Sequence, residues 1–208
     1  MKRTLLTLSA IALVAFAATA NAAGMYGGIK AGANFANVSD VDNSSMRTGF
    51  QGGLFVGKDV SPQFGFRVEG LYVQKGAKVD VPAIGGGTTE ATYKLDYIEF
   101  PILFVYNLSN SETMGFNIFA GPTLGFNMSA KAEDTDVKDD TESFEFGAAI
   151  GAGLAKKMAG GKAITIDARY SLGATGVNKE DSVNGDNPKN RGIGLMIGYQ
   201  IPLGSSAQ

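Results

Sequence analysis

The chain has 208 residues, 20 acidic against 18 basic, and contains no Cys, His or Trp. A formal net charge of −2 is no electrostatic footprint for nucleic acid. Without His or Cys there is no imidazole or thiolate for a zinc site, and the usual neutral-pH base is missing.

Lys2 and Arg3 form a positive start, an apolar run follows from Leu5 to about Ala18, and Ala20-Asn21-Ala22 supplies a small-x-small cleavage pattern. These features predict a secretory signal peptide over 1–22, the run being too short for a membrane span of about 20 residues. Residues 23–208 are predicted to form one domain, with 16 basic residues facing 20 acidic ones. All 29 glycines fall in it, and an exported chain without disulfides must be held by its hydrogen-bond ladder and packing.

Period-two alternation recurs in eight stretches: 25–35, 48–60, 64–78, 91–107, 114–129, 143–158, 163–174 and 191–203. In the fifth, Phe116, Ile118, Ala120, Pro122, Leu124, Phe126 and Met128 alternate with Asn117, Phe119, Gly121, Thr123, Gly125 and Asn127. In the last, Ile193, Leu195, Ile197, Tyr199 and Ile201 share one face, opposite Gly192, Gly194, Met196, Gly198 and Gln200. A soluble sandwich would fill its outer face with charged and polar residues. Here the second face is small or weakly polar, which suits a narrow lumen with the apolar face turned to lipid.

Connections alternate in length. Those at 61–63, 108–113 and 159–162 are short; those at 36–47, 79–90, 130–142 and 175–190 are longer and polar. This is the pattern of an all-β, eight-stranded, antiparallel up-and-down transmembrane β-barrel with both termini periplasmic. Pro101 is expected to mark a bulge or an interrupted ladder position. With no Trp, Tyr72, Tyr106, Tyr170, Tyr199, Phe64, Phe66 and Phe116 are the candidates for the interfacial girdles.

Gly28-Ile29-Lys30-Ala31-Gly32-Ala33-Asn34-Phe35, Glu69-Gly70-Leu71-Tyr72 with Lys75-Gly76, Tyr97-Ile98-Glu99-Phe100-Pro101, and Asp167-Ala168-Arg169-Tyr170 follow one another along the chain. In this order they resemble the outer-membrane β-barrel domain family often labelled "porin family", similar to small OmpA- and OmpX-type barrels. The resemblance spans 24–203. It implies an outer-membrane location, contact with membrane lipids and lipopolysaccharide, and passage through chaperone and barrel-assembly machinery. It implies little about activity. Many such barrels end on an aromatic residue read during assembly, whereas this chain runs past Tyr199 to Gln208.

The familiar outer-membrane barrel enzymes (the lipid A deacylase, the lipid A palmitoyltransferase and the omptin proteases) resemble one another in needing a catalytic His, which is absent here. No catalytic residue and no cofactor are expected. With the apolar faces toward lipid, Lys30, Arg67, Glu69, Glu99, Glu145, Asp167 and Arg169 point inward, three cations and four anions that must pair, because an unpaired buried charge is costly. An eight-stranded interior is just wide enough for side chains to fill, which favours a plug over a pore. Loop 130–142 concentrates Glu133, Asp134, Asp136, Asp139, Asp140 and Glu142 against Lys131 and Lys138. It reads as a solvated acidic loop, with divalent-cation binding the alternative. The segment from Asp181 to Pro188 reads as turn chemistry. Lys94 and Arg191 sit at the outer rim, as headgroup contacts or simple rim charges.

Three functional readings follow: a monomeric structural or surface-interaction scaffold with a closed lumen, a small-solute channel, and a soluble lipocalin-like carrier with its apolar face inward.

Overall fold

Side chains alternate across a strand, so a period-two sequence sorts its apolar and its small or polar residues onto opposite faces of one sheet. The computed structural model describes residues 24–39, 44–82, 86–179 and 187–203. The predicted signal peptide lies outside these residues, as do most of the turn-rich segment after Lys179 and the tail beyond Leu203. The strands are β1 (Met25–Val38), β2 (Ser44–Asp59), β3 (Phe64–Pro82), β4 (Thr88–Asn110), β5 (Met114–Ala132), the two-residue β6 (Thr135–Asp136), β7 (Phe144–Lys157), β8 (Ala163–Gly173) and β9 (Asn190–Pro202). Neighbours pair antiparallel, and the β1–β9 ladder closes the eight long strands into a ring, with β6 a short addition to β5.

The greasy side is the outside. Thirty large apolar or aromatic residues among those described are more than a third exposed, including Ile29, Leu54, Phe104, Ile150 and Ile197. In water this wall would far exceed the apolar patch a soluble monomer carries, so the lipocalin-like reading is set aside. Aromatic pairs brace it: Phe64–Tyr106 and Phe66–Phe104 have ring centroids 5.0 Å apart at the short-turn end, and Phe126–Phe144 lie 5.5 Å apart higher up. Of the girdle candidates, Tyr106, Tyr170, Tyr199, Phe64, Phe66 and Phe116 are exposed on this wall, while Tyr72 is half-buried near Phe50.

One expectation changes in detail, and another resolves to one of its two alternatives. The segment 79–90, read as a long loop, is largely strand, because the β3–β4 ladder continues through Val79↔Ala91 to Pro82↔Thr88. As a result β3, β4 and β5 run for 19, 23 and 19 residues, well beyond the roughly 10 that a tilted strand needs to cross a bilayer. One wall therefore rises past the apolar band at the long-loop end. Pro101 interrupts rather than shifts its ladder: β3–β4 pairs pass from Val68↔Ile102 to Leu71↔Glu99 in unbroken register. The register shifts fall elsewhere, between Asp96 and Tyr97 and between Asn107 and Ser109 on the β5 side.

Ring closure depends on close backbone approach at Gly32. A Cβ there would stand 1.9 Å from the Leu195 carbonyl oxygen, on the strand that closes the barrel. Gly32→Ala is expected to cost about 1–3 kcal/mol through forced separation of β1 and β9. The check is a lower urea midpoint and less of the fast-migrating folded form in unheated detergent gels. An unchanged midpoint would mean the seam can shift freely.

Candidate functional site in the barrel lumen

Among the described residues eight charged side chains are buried inside the ring: Lys30, Arg67, Glu69, Lys75, Glu99, Glu145, Asp167 and Arg169. Seven were expected from alternation; Lys75 was not. Its addition brings the interior to four cations and four anions, the balance that a buried charge set needs. Parity alone could have found it, since Arg67, Glu69, Leu71, Val73 and Lys75 all alternate onto the inner face of β3.

The charges form two layers. In the layer nearer the short turns, Glu69 is the hub. Its carboxylate lies 2.8 Å from Lys30 Nζ, 2.9 Å from Arg67 Nε and 2.6 Å from Arg169 Nη2. Asp167 also pairs with Lys30 and stands 3.5 Å from Arg67 Nη2. Phe119, the one large aromatic on the inner face of β5, has both guanidinium groups over its ring, 4.6 Å from its centroid for Arg67 and 5.5 Å for Arg169. Cations over a ring face gain attraction without needing a third carboxylate.

The layer nearer the long loops centres on Lys75. Its ammonium is 2.7 Å from Glu99 and 2.5 Å from Glu145, and lies over the Tyr97 ring. Asn190 of β9 donates to Glu145 and, at 3.4 Å, to the Tyr97 hydroxyl. The two layers tie β1, β3, β4, β7, β8 and β9 together across the interior. The first has one cation in excess and the second one anion.

Little space remains between these groups. The cavity bounded by Asn34, Gln51, Lys75, Glu99, Glu145 and Asn190 measures about 10 Å³, at the threshold for a single water. Above it, Leu95, Tyr97 and Ala130 pack with Val177 from the loop after β8 and with Val137 from the loop after β6. Lys138, in a 3₁₀ turn (Lys138–Asp140), drops its ammonium onto Asn127, 2.6 Å from the carbonyl and 2.5 Å from the amide oxygen. Burial and the nearby Lys179 ammonium pull Lys138 below the ordinary lysine pKa. A Thr141–Asn178 bridge and the bond from Glu142 N–H to Val177 O stitch the two loops into a cap.

The acidic loop is therefore built into the mouth. Glu133, at φ 53°, exchanges backbone and side-chain bonds with Thr92. Asp134 lies 3.9 Å from Lys94, and Asp136 accepts from the Lys138 N–H at 2.8 Å. Asp139 and Asp140 serve through their carbonyls, which accept from Lys179. Among the described residues no three of these carboxylates converge as a metal would require. The packing of Val137 and Val177 into one cluster had no sequence signal, because two valines 40 positions apart join it only once the loops fold together.

No curated protein sequence matches the chain. Among solved structures, the barrel is similar to Neisserial surface protein A, with a TM-score of 0.57 and 16% identity over 87% of this chain and 98% of that one. It is similar also to OprG of Pseudomonas aeruginosa, at 0.52 and 14% over 87% and 97%. The outer membrane enzyme PagL is matched at 0.41 and 16% over 84% and 99%. The first two likenesses show the fold. Residues 20–177, more than half of the chain, match the family model described as outer membrane protein beta-barrel domain, and with an apolar outer wall and a charged interior the chain belongs to that family of the outer membrane.

Proposed function

We propose that the protein is a non-enzymatic scaffold of the outer membrane, with a sealed lumen and long loops that present a surface to lipopolysaccharide and extracellular molecules. The short turns and both termini then face the periplasm. The observation that carries this reading is the balanced lumen: four cations and four anions held in ion pairs, with about 10 Å³ left beside the upper layer. Ions crossing it would have to break pairs whose members cannot recover hydration, at a cost of several kcal/mol. The cap in which Val137 and Val177 join Leu95, Tyr97 and Ala130 adds a second obstruction at the mouth.

The same pairing argues against catalysis. The carboxylates gathered in the lumen face cations at 2.5–2.9 Å, so their oxygens are taken up by ion pairs within the barrel rather than turned toward a substrate. Planar-bilayer recording of the purified protein is the direct test. The expected result is no stepwise conductance in 1 M KCl. Reproducible open steps from the unaltered protein would replace the scaffold with a small-solute channel.

A further inference from the structure

The outer wall carries a feature unrelated to the lumen. At the long-loop end, where β8, β9, β1 and β2 meet, an open groove of about 230 Å³ is lined by Phe35, Asn37, Met46, Tyr170, Arg191 and Ile193. It has room for roughly eight waters' volume. Its lining is ordered vertically by the strand ladders. Arg191 stands directly opposite Asn37 at the top; beneath them Ile193 lies opposite Phe35 on one side and Tyr170 on the other. Cross-strand partners hold their Cβ atoms about 5 Å apart, so the two polar groups form one donor pair above an aromatic and aliphatic floor. Asn37 spends its side-chain oxygen on the Val38 N–H at 2.8 Å, which leaves its NH₂ to donate outward.

The height of this pair is informative. Along β9 the outward residues Ile201, Tyr199, Ile197, Leu195 and Ile193 are apolar and exposed, and Arg191 follows next. Ten residues at about 3.3 Å each, tilted by about 40°, place Arg191 roughly 25 Å above Ile201, which is the height of a barrel's apolar band. Arg191 therefore sits at the depth of lipid phosphates, with hydrocarbon depth directly below it. A guanidinium beside an amide suits phosphate oxygens, and the floor suits an acyl chain.

We propose that this groove is a lipid site for a phosphomonoester-bearing glycolipid, its phosphate on Arg191 and Asn37 and the start of an acyl chain against Phe35, Tyr170 and Ile193. The proposal deepens the surface reading above, in which this end faces outward. Its test uses vesicles carrying the lipid in both leaflets, so that it holds whichever way the barrel inserts.

The absence of Trp makes a clean probe available. Tyr170→Trp places a sole indole in the groove, and Phe104→Trp places one on the exposed face of β4, which is not one of the groove's four strands. Each variant, purified from outer membranes, is reconstituted in brominated phosphatidylcholine, which quenches indole emission. Unbrominated lipid A with its phosphates, or its dephosphorylated form, is then titrated in. At position 170 emission should recover at about a fivefold lower mole fraction of the phosphorylated lipid, the preference expected for one cation at a membrane surface. Adding Arg191→Gln should remove the difference, and at position 104 the two lipids should give one curve. Identical curves at 170 would overturn the proposal. So would a preference erased by tens of millimolar inorganic phosphate, since the groove would then take the free ion.

Discussion

Glu69→Ala is expected to cost the barrel about 3–5 kcal/mol and to open an anion-selective leak. Glu69 is fully buried and is the shared partner of Lys30, Arg67 and Arg169. Removing its carboxylate leaves three cations with only Asp167, so the excess positive charge of that layer rises from one to two. Two consequences follow from the same change. The cations lose a partner in a place where rehydration is poor, which destabilises the fold. Where water does enter the space vacated by the side chain, the surrounding potential admits chloride and repels potassium. Urea unfolding in detergent measures the first consequence. The reversal potential in a tenfold KCl gradient measures the second, and it should lie on the chloride side of zero. Glu69→Gln separates charge from volume: it fills the space, so it should lose stability without conducting as freely. A stable, silent Glu69→Ala barrel would remove the lumen network from any account of sealing.

Much of this site was legible because the barrel reads its own alternation. Lys30, Arg67, Glu69, Glu99, Glu145, Asp167 and Arg169 each stand in a strand whose opposite parity is apolar, so lipid on one side dictates charge on the other. Lys75 escaped because the local contrast fails there. It is flanked by Gln74 and Gly76, neither of which marks a lipid face, and only counting from Arg67 fixes its side. The last four residues of β3 and the first three of β4, 79–82 and 88–90, were read as loop for a related reason. Above the bilayer both faces of a strand meet water or loops, so Lys78, Asp80, Glu90 and Thr92 carry no greasy-against-small signature. The β-branched Val79, Val81, Thr88 and Thr89 were the remaining signal, one of strand preference without sidedness. The mouth cap was less accessible still. Acidity in 130–142 was plain, yet the part of that loop that seals the mouth is Val137 with Lys138, an apolar residue and a cation among carboxylates.

Lys75→Ala should give the opposite electrical outcome to Glu69→Ala. Its layer holds Glu99 and Glu145 on one ammonium, so removal leaves two carboxylates in one layer, with Asn190 still donating to Glu145. The excess negative charge rises from one to two, and any leak should favour potassium, with the reversal potential on the cation side of zero in the same gradient. The expected loss of stability is again about 3–5 kcal/mol, the cost of stranding buried charge rather than the worth of the pairs themselves. That distinction can be measured. In the triple variant Lys75→Met, Glu99→Gln, Glu145→Gln the layer is neutral and nearly the same size, and most of the lost stability should return. If the triple variant were as unstable as Lys75→Ala, the pairs would be contributing directly to barrel stability. If both single variants leaked with the same ion preference, the buried charges would not be setting the selectivity, because removing an anion and removing a cation from a balanced set of four and four leave excesses of opposite sign.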